Sequence, residues 1–274
     1  MNDKNNPLPL SIVIRCSNDF RLFDCINSID ENVEIIVSLT KNDKIQERLE
    51  KLGIKYFIAP KGNLSITSNL GVNNSQYEKV VITDSDTIFE KGSILKIYFE
   101  LEKYDIVRAN VIFRINPKNF FSIIVAKARE YVYEKKLAFT PGLGINKSIV
   151  EKIHGFFFNP PVPWAVDADL NFRAKKESIS IKFLEKARIY HTPIELKHDL
   201  KAAFRIGIGV CVGAQKLSEL YPNLENIKNS LKAVNKNEYF NIFKKKSILV
   251  LFYQVIWDIF FEIGYIVQEH LSIY

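Results

Sequence analysis

The stretch VVITDSDTIF, residues 80–89, places an apolar run directly before two carboxylates, Asp84 and Asp86. A continuous apolar run predicts a strand that is covered on both faces of a parallel sheet. Ligands of such sheets bind outside the carboxyl ends of the strands, so the two acids mark a candidate binding site. Neighbouring carboxylates repel each other unless a divalent cation such as Mn²⁺ or Mg²⁺ binds them, and we therefore predict a metal site. The alternative is that the acids only form a turn and cap the next helix.

Upstream of this stretch, short apolar runs alternate with segments of helical spacing. With the stretch itself they give four predicted strands, at residues 10–15, 33–39, 54–60 and 79–84. Such alternation indicates parallel pairing with right-handed crossovers, and hence an α/β fold. Downstream we predict a helix, a strand open to antiparallel pairing and a second helix, at residues 93–103, 105–115 and 120–136.

The composition is that of a folded globular chain. Its 274 residues are 47% hydrophobic and 25% charged, which suits one large α/β domain with an appendage. The formal net charge is +7, but the lysines are scattered rather than laid along one helix, so no nucleic-acid partner is predicted. The three cysteines share no metal-ligand spacing and predict free thiols in a reducing compartment. We therefore expect a cytoplasmic protein.

A second acidic motif lies further along the chain. The segment VDADLNFR, residues 166–173, reads as a helix start with Asp167 and Asp169 in the first turn, where acids suit the helix dipole. His191 ends a strand-like run and is either a functional side chain or a buried core histidine. Trp164 lies beside prolines, and its ring is predicted either to stack on a ligand or to pack in the core.

In this order the motifs resemble glycosyltransferase family 2, whose members have the nucleotide-diphospho-sugar transferase fold. The resemblance covers residues 9–215 and rests on the strand ending in Asp84-x-Asp86, on a preceding Gly62, Asn69 and Gly71, and on the second motif with Arg173 and the later histidine. It implies a GT-A-like three-layer α/β/α sandwich with a mixed, mostly parallel sheet. It also implies metal-dependent transfer of a sugar from a nucleotide-diphosphate sugar to an acceptor hydroxyl, with inversion at the anomeric carbon.

The resemblance assigns roles to residues of this chain. Asp167 is the expected general base, although Asp169 is the alternative base, with Asp167 then structural. The metal, Mn²⁺ or Mg²⁺, is expected on Asp84, Asp86 and His191. The acceptor, a glycan or a lipid-linked molecule, is expected against Trp164 and Asp169. The nucleotide-sugar donor is expected to contact Arg15, Lys61, Asn69, Asp84 and Ser85.

Three positions depart from the pattern of the family. No acid follows the second strand until Asp43, so the residues that hold the nucleoside are not identified. Arg15 stands where the first strand of the family ends in proline, and its guanidinium is either a fork donor to a phosphate or a surface charge. Val166 replaces the glutamate of the second motif.

Two other functions compete with this interpretation. The segment DSDTI also matches the first motif of haloacid-dehalogenase-like phosphatases, with Asp84 as nucleophile and Asp86 as general acid and base. That motif normally follows the first strand of its domain, whereas three strand–helix units come first here. A catalytically degenerate scaffold that binds a sugar nucleotide is the non-enzymatic alternative, and Val166 favours it slightly.

The carboxyl-terminal part is predicted to be helical, which divides the chain into a catalytic domain at 1–220 and a helical segment at 221–274. Residues 244–267 have the length of a membrane span, but Gln254, Asp258 and Glu262 lie on one helical face within it. Acids at a bilayer centre cost about 2.5–3.5 kcal/mol each. We therefore predict peripheral contact with the inner face of the membrane, or a helix packed on the domain or on a second chain.

Overall fold

The computed structural model describes residues 7–135, 137–223 and 226–273. Within them, eight strands form one sheet in the order β3-β2-β1-β4-β7-β6-β8-β5. The strands are β1 (Leu10–Ser17), β2 (Glu34–Thr40), β3 (Lys55–Ala59), β4 (Lys79–Asp84), β5 (Thr87–Phe89), β6 (Ile106–Phe113), β7 (Leu143–Asn146) and β8 (Ile181–His191).

The helices of the first part of the chain alternate with these strands. They are α1 (Leu22–Asn27), α2 (Asp43–Lys51), α3 (Leu64–Asn73), α4 (Ser93–Glu100), α5 (Phe120–Tyr133) and α6 (Val166–Lys176). Asparagine side chains start α2, α3 and α5, where Asn42, Asn63 and Asn119 each accept a hydrogen bond from a backbone N–H of the first turn. Such caps satisfy donors that have no partner inside the helix.

Strands β1 to β4 form the parallel half of the sheet, and both of its faces are covered. Successive residues of β1 enter different cores: Ile12 and Ile14 pack with α1, α2 and α4, whereas Val13 packs with α3 and α6. Gly71 allows α3 to approach closely, because a Cβ there would lie 2.2 Å from Val13 Cγ1. This arrangement confirms the predicted three-layer α/β fold.

The other half of the sheet is mixed. β7 pairs antiparallel with β4 and β6, and β8 pairs parallel with β6 and antiparallel with the short β5. The pairing of β5 with β8 places Thr87 opposite His191. As a result, the residues just after β4 lie beside the end of β8, more than a hundred residues later in the chain.

The remaining helices are α7 (Leu196–Leu220), α8 (Ile227–Leu231), α9 (Tyr239–Lys245) and α10 (Ile248–Leu271). They share one apolar core with α5, to which α7 contributes Val210 and Leu217 and α10 contributes Trp257 and Phe261. α7 ends at the predicted domain boundary, but its buried face belongs to the same core as the helices after it. The division at 220 stays a prediction.

Candidate active site at the ends of β1 and β4

The first acid of the opening motif is held by an arginine of the neighbouring strand. Arg15 and Asp84 are register partners at the ends of β1 and β4. The guanidinium donates from Nε to Asp84 Oδ1 at 2.9 Å and from Nη2 to Oδ2 at 3.1 Å, and it is only 6% exposed. This two-pronged, charge-assisted geometry is stronger than a single hydrogen bond. Both oxygens of Asp84 are therefore engaged.

The second acid faces a histidine. Asp86 Oδ2 lies 3.6 Å from His191 Nε2, and the backbone carbonyl of Thr192 lies 2.7 Å from His191 Nδ1. In a neutral ring Nδ1 is then the donor and Nε2 carries the lone pair. Two acceptors consequently face each other unless a proton or a cation lies between them. Burial raises the pKa of Asp86, and the nearby Asp84 carboxylate raises it further, against the charge of His191.

Asp167 lies in the first turn of α6 and is linked to Arg15 through one hydroxyl. Arg15 Nη2 donates to Thr140 Oγ1 at 2.7 Å, and that hydroxyl donates to Asp167 at 3.2 Å from Oδ1 and 3.1 Å from Oδ2. Burial raises the pKa of Asp167 to about 6, although the positive charge of Arg15 and the hydrogen bonds of Thr140 lower it. A carboxylate with a pKa near neutrality suits a general base.

One cavity joins these groups. Its volume is about 1980 Å³, and its lining includes Asp84, Asp86, Asp167, His191 and Arg15. From there it continues between α5, α6 and α7 to the residues of α10. The structure thus brings together at one cavity the predicted base, both acids of the opening motif and the predicted histidine.

Besides Asp169, four predicted residues are absent from the lining described for this cavity, namely Lys61, Asn69, Ser85 and Trp164. Lys61 is an exposed residue between β3 and α3. Ser85 is buried, and its hydroxyl lies 3.5 Å from Asp19 Oδ2. Asn69 binds the loop before α6: its side-chain amide donates to Phe158 O at 2.6 Å and its side-chain oxygen accepts from Phe158 N at 3.2 Å. The Trp164 ring packs under the Arg205 guanidinium, 5.1 Å from the ring centroid.

Asp169 lies in the core rather than at the cavity. It is 1% exposed and pairs with the fully buried Arg173, whose Nε and Nη2 donate to Asp169 Oδ2 at 2.9 and 2.7 Å. Arg173 also donates to the carbonyls of Ile153, Phe156 and Phe157. This pair fixes the loop before α6, so we do not carry Asp169 into the proposed acceptor site.

Two residues of the site were not predicted from the sequence. Thr140 connects Arg15 to Asp167, and no motif marks it. Arg21 follows β1 and lines the cavity; its guanidinium donates to Asp19 and to the Thr192 hydroxyl and lies 3.6 Å from Asp86 Oδ2. Its position soon after the first strand marks Arg21 in the sequence as a candidate phosphate contact.

The metal site stays a prediction. Among the described residues, no group of three or more His, Cys, Asp or Glu side chains is placed to hold a metal ion. Asp86 and His191 nevertheless offer one carboxylate and one imidazole that face each other. Mg²⁺ is usually held by one or two carboxylates and completes its shell with phosphate oxygens and waters. The Asp86 carboxylate fits that use, with His191 beside it, whereas the Asp84 carboxylate is hydrogen-bonded to Arg15.

Comparison with known proteins supports the fold. No protein-family model matches the chain, and no curated protein matches its sequence. A crystal structure of S. aureus TarS matches with a TM-score of 0.50 at 13% identity, over 94% of this chain and 55% of the TarS chain. TarS 1–349 in complex with UDP-GlcNAc matches with a TM-score of 0.52 at 12% identity, over 95% of this chain and 91% of that one. The complex of TarS 1–349 with UDP gives 0.51 at 12% identity over the same shares.

Proposed function

We propose that this protein is a glycosyltransferase that moves a sugar from a nucleoside-diphosphate sugar to an acceptor hydroxyl. The observation that carries the proposal is the meeting of Asp86, His191 and Asp167 at one cavity, in a fold shared with TarS. Solved structures of TarS contain UDP-GlcNAc and UDP. A uridine nucleotide is therefore the first donor to test.

Asp167 is the proposed general base. The acceptor oxygen attacks the anomeric carbon of the donor sugar and forms the new C–O bond, while its proton passes to the Asp167 carboxylate. The bond from the anomeric carbon to the diphosphate oxygen breaks, and the nucleoside diphosphate leaves with that electron pair. A single displacement of this kind inverts the anomeric centre. The hydroxyl of Thr140 and the charge of Arg15 keep Asp167 more acidic than burial alone would.

The diphosphate is proposed to lie between Arg21 and the Asp86–His191 pair. Arg21 lines the cavity near Asp86, and its guanidinium, which also donates to Asp19 and Thr192, is of a type that suits phosphate oxygens. Asp86 and His191 are the residues that would hold Mn²⁺ or Mg²⁺, and the ion supplies neutralising charge for the leaving diphosphate. Arg15 stays with Asp84, so the bonded pair is proposed to contact the donor as a unit.

The proposed setting is the cytoplasm, with an acceptor that is a glycan or a lipid-linked molecule. The three cysteines, Cys16, Cys25 and Cys211, are buried and unpaired, which suits a reducing compartment. The volume of the cavity leaves room for an acceptor beside the donor.

Release of nucleoside diphosphate from a panel of UDP-, GDP- and dTDP-sugars, with Mn²⁺ present, tests the proposal. Slow transfer to water replaces the unknown acceptor, and the expected product is intact nucleoside diphosphate plus free sugar. Asp167→Asn should lower this release by about 10²–10⁴-fold, while Glu102→Gln, which changes an exposed carboxylate beside Lys79 at the opposite end of β4, should leave it unchanged. Release of inorganic phosphate from a phosphate monoester such as p-nitrophenyl phosphate, lost in Asp84→Asn, would instead indicate the phosphatase. A chain that binds nucleotide but turns over no donor would be the scaffold.

A further inference from the structure

The helix α10 has an inverted distribution of polar and apolar residues. By length and composition it is apolar enough to cross a membrane, yet only 33% of its most apolar window is buried. Every exposed position from Ile248 to Ile266 is apolar. We call these residues the outer face of α10: Ile248, Leu249, Phe252, Ile259, Phe260, Ile263 and Ile266.

Between residues 248 and 266, the most polar side chains of the helix have partners within the chain. Gln254 is 1% exposed and donates to Asp258 Oδ1 at 2.9 Å. Asp258 also accepts a hydrogen bond from the Tyr239 hydroxyl, and Glu262 pairs with Lys228 and Lys232. Gln254 and Asp258 are therefore not part of the outer face. Glu262, whose side chain is 37% exposed, lies beside the outer face, and its charge is paired with the two lysines.

The helix is also fixed to the rest of the chain along its opposite side. A Cβ at Gly207 of α7 would lie 2.0 Å from Phe261 O, and one at Gly264 would lie 2.0 Å from Phe204 O. The two backbones thus touch at both glycines. Crossing a bilayer would separate α10 from α7 and expose the inward carboxylates to lipid, which is costly. A partner that buries the outer face therefore has to be another molecule.

Two observations, the basic residues next to α10 and the extent of the cavity, indicate the chemistry of that partner. Lys244 and Lys245 are exposed directly before α10, and Phe240 and Phe243 are exposed on α9 beside them. Basic residues next to an apolar helical face are typical of helices that lie in the interface of an anionic membrane. The cavity that contains Asp167 also reaches Ile259, Ile263 and Ile266 of the outer face. A bilayer accounts for the lysines and the apolar face together.

We propose that the outer face of α10, together with Phe240, Phe243, Lys244 and Lys245, docks on the surface of a bilayer that contains anionic lipid. The helix lies in the plane of the membrane and remains packed on α7. The apolar side chains enter the boundary between headgroups and acyl chains, and the two lysines meet the headgroups. This surface depends only on α9 and α10, so the proposal stands independently of the sugar transfer.

Flotation of the full chain with lipid vesicles tests the proposal. The chain should float with vesicles of phosphatidylglycerol and phosphatidylcholine, and much less with phosphatidylcholine alone. Phe252→Glu combined with Ile259→Glu should lower partitioning about tenfold or more, because it puts charge on the face that enters the membrane. Phe99→Glu, a matched change at a 44% exposed phenylalanine of α4, should have no effect.

Substitution of the two lysines is a second test, and it does not require the variant with altered apolar residues to fold. Lys244→Glu combined with Lys245→Glu should reduce binding to the anionic vesicles about tenfold or more, and should leave weak binding to phosphatidylcholine unchanged. Unchanged thermal unfolding would show that the variants are folded.

Three results would overturn the proposal. Equal flotation of the wild type and both double variants would exclude this surface. Retention in the vesicles after alkaline carbonate extraction would indicate a spanning helix. Absence of vesicle binding, together with a dimer in sedimentation that Phe252→Glu and Ile259→Glu dissociate, would identify a second copy of the chain as the cover.

Discussion

The chemistry of the site depends on how Asp167 is placed. It is buried, yet it receives hydrogen bonds from Thr140 and lies near the charge of Arg15. Burial favours the protonated acid and the two neighbours favour the carboxylate, so the group titrates between the usual range of a carboxyl and neutrality. Thr140 therefore lowers the pKa of Asp167 through its hydrogen bonds.

Asp167→Asn should lower kcat by about 10²–10⁴-fold, because the amide cannot accept the acceptor proton. Donor binding should remain, since the amide keeps the shape of the side chain. Steady-state kinetics with calorimetric titration of the donor separates the two quantities. A loss of donor binding with unchanged kcat would place Asp167 in the donor site instead.

The pH dependence follows from the same group. Only the deprotonated carboxylate is a base, so kcat/KM should rise as pH increases through about 6 and then level off. Thr140→Val removes hydrogen bonds that lower the pKa of Asp167, so the rise of kcat/KM should shift to higher pH in this variant. A rise at the same pH as in the wild type would contradict the assignment of Asp167.

Asp169 and Arg173 differ from Asp167 in being structural. Removing one partner of a buried ion pair leaves an uncompensated charge, so Asp169→Ala should destabilise the fold by about 3–5 kcal/mol. Chemical denaturation followed by tryptophan fluorescence measures this change. At temperatures where the variant is folded, its donor affinity should match that of the wild type. Unchanged stability with weakened acceptor kinetics would restore Asp169 to the acceptor site.

At the scale of elements, local pattern predicted the parallel half of the sheet well. The predicted strands at 10–15, 33–39, 54–60 and 79–84 correspond to β1 to β4, because buried parallel strands are continuous apolar runs. The three residues of β5 carry too little pattern to be recognised. Its pairing with β8 is set by contacts across the chain, and that pairing is what brings Asp86 to His191.

The crossing of α7 and α10 depends on two glycines as well as on the shared apolar core. Gly264→Ala places a methyl group on the carbonyl of Phe204 and should destabilise the fold by about 1–3 kcal/mol through overpacking. Gly213→Ala is the matched control on α7, because its nearest neighbour would lie at 3.7 Å. That variant should be neutral or more stable by about 0.5–1 kcal/mol, since alanine favours helix. Equal effects of the two substitutions in thermal unfolding would contradict this packing.

At the scale of the whole molecule, the sequence indicated which residues meet at the cavity better than it indicated what each residue contacts. Asp84, Asp86, Asp167 and His191 meet at one cavity, as the order of motifs predicted. The structural roles of Asn69 and Asp169 were not predictable, because a polar residue on a helix has the same pattern whether it binds a ligand or, as here, the backbone of Phe158 or the side chain of Arg173. Likewise, the period of α10 placed its polar stripe on one face but did not show that this face turns inward.

Calorimetric titration of the purified chain with UDP, GDP and dTDP, with Mn²⁺ and then with EDTA, tests the central claim most directly. The account predicts that one nucleotide, with UDP tried first, binds in the presence of Mn²⁺. Binding should be lost with EDTA and in Asp86→Ala, while Glu102→Gln should bind as the wild type does. Absence of binding to all three nucleotides by a folded chain would contradict the proposed sugar-nucleotide site.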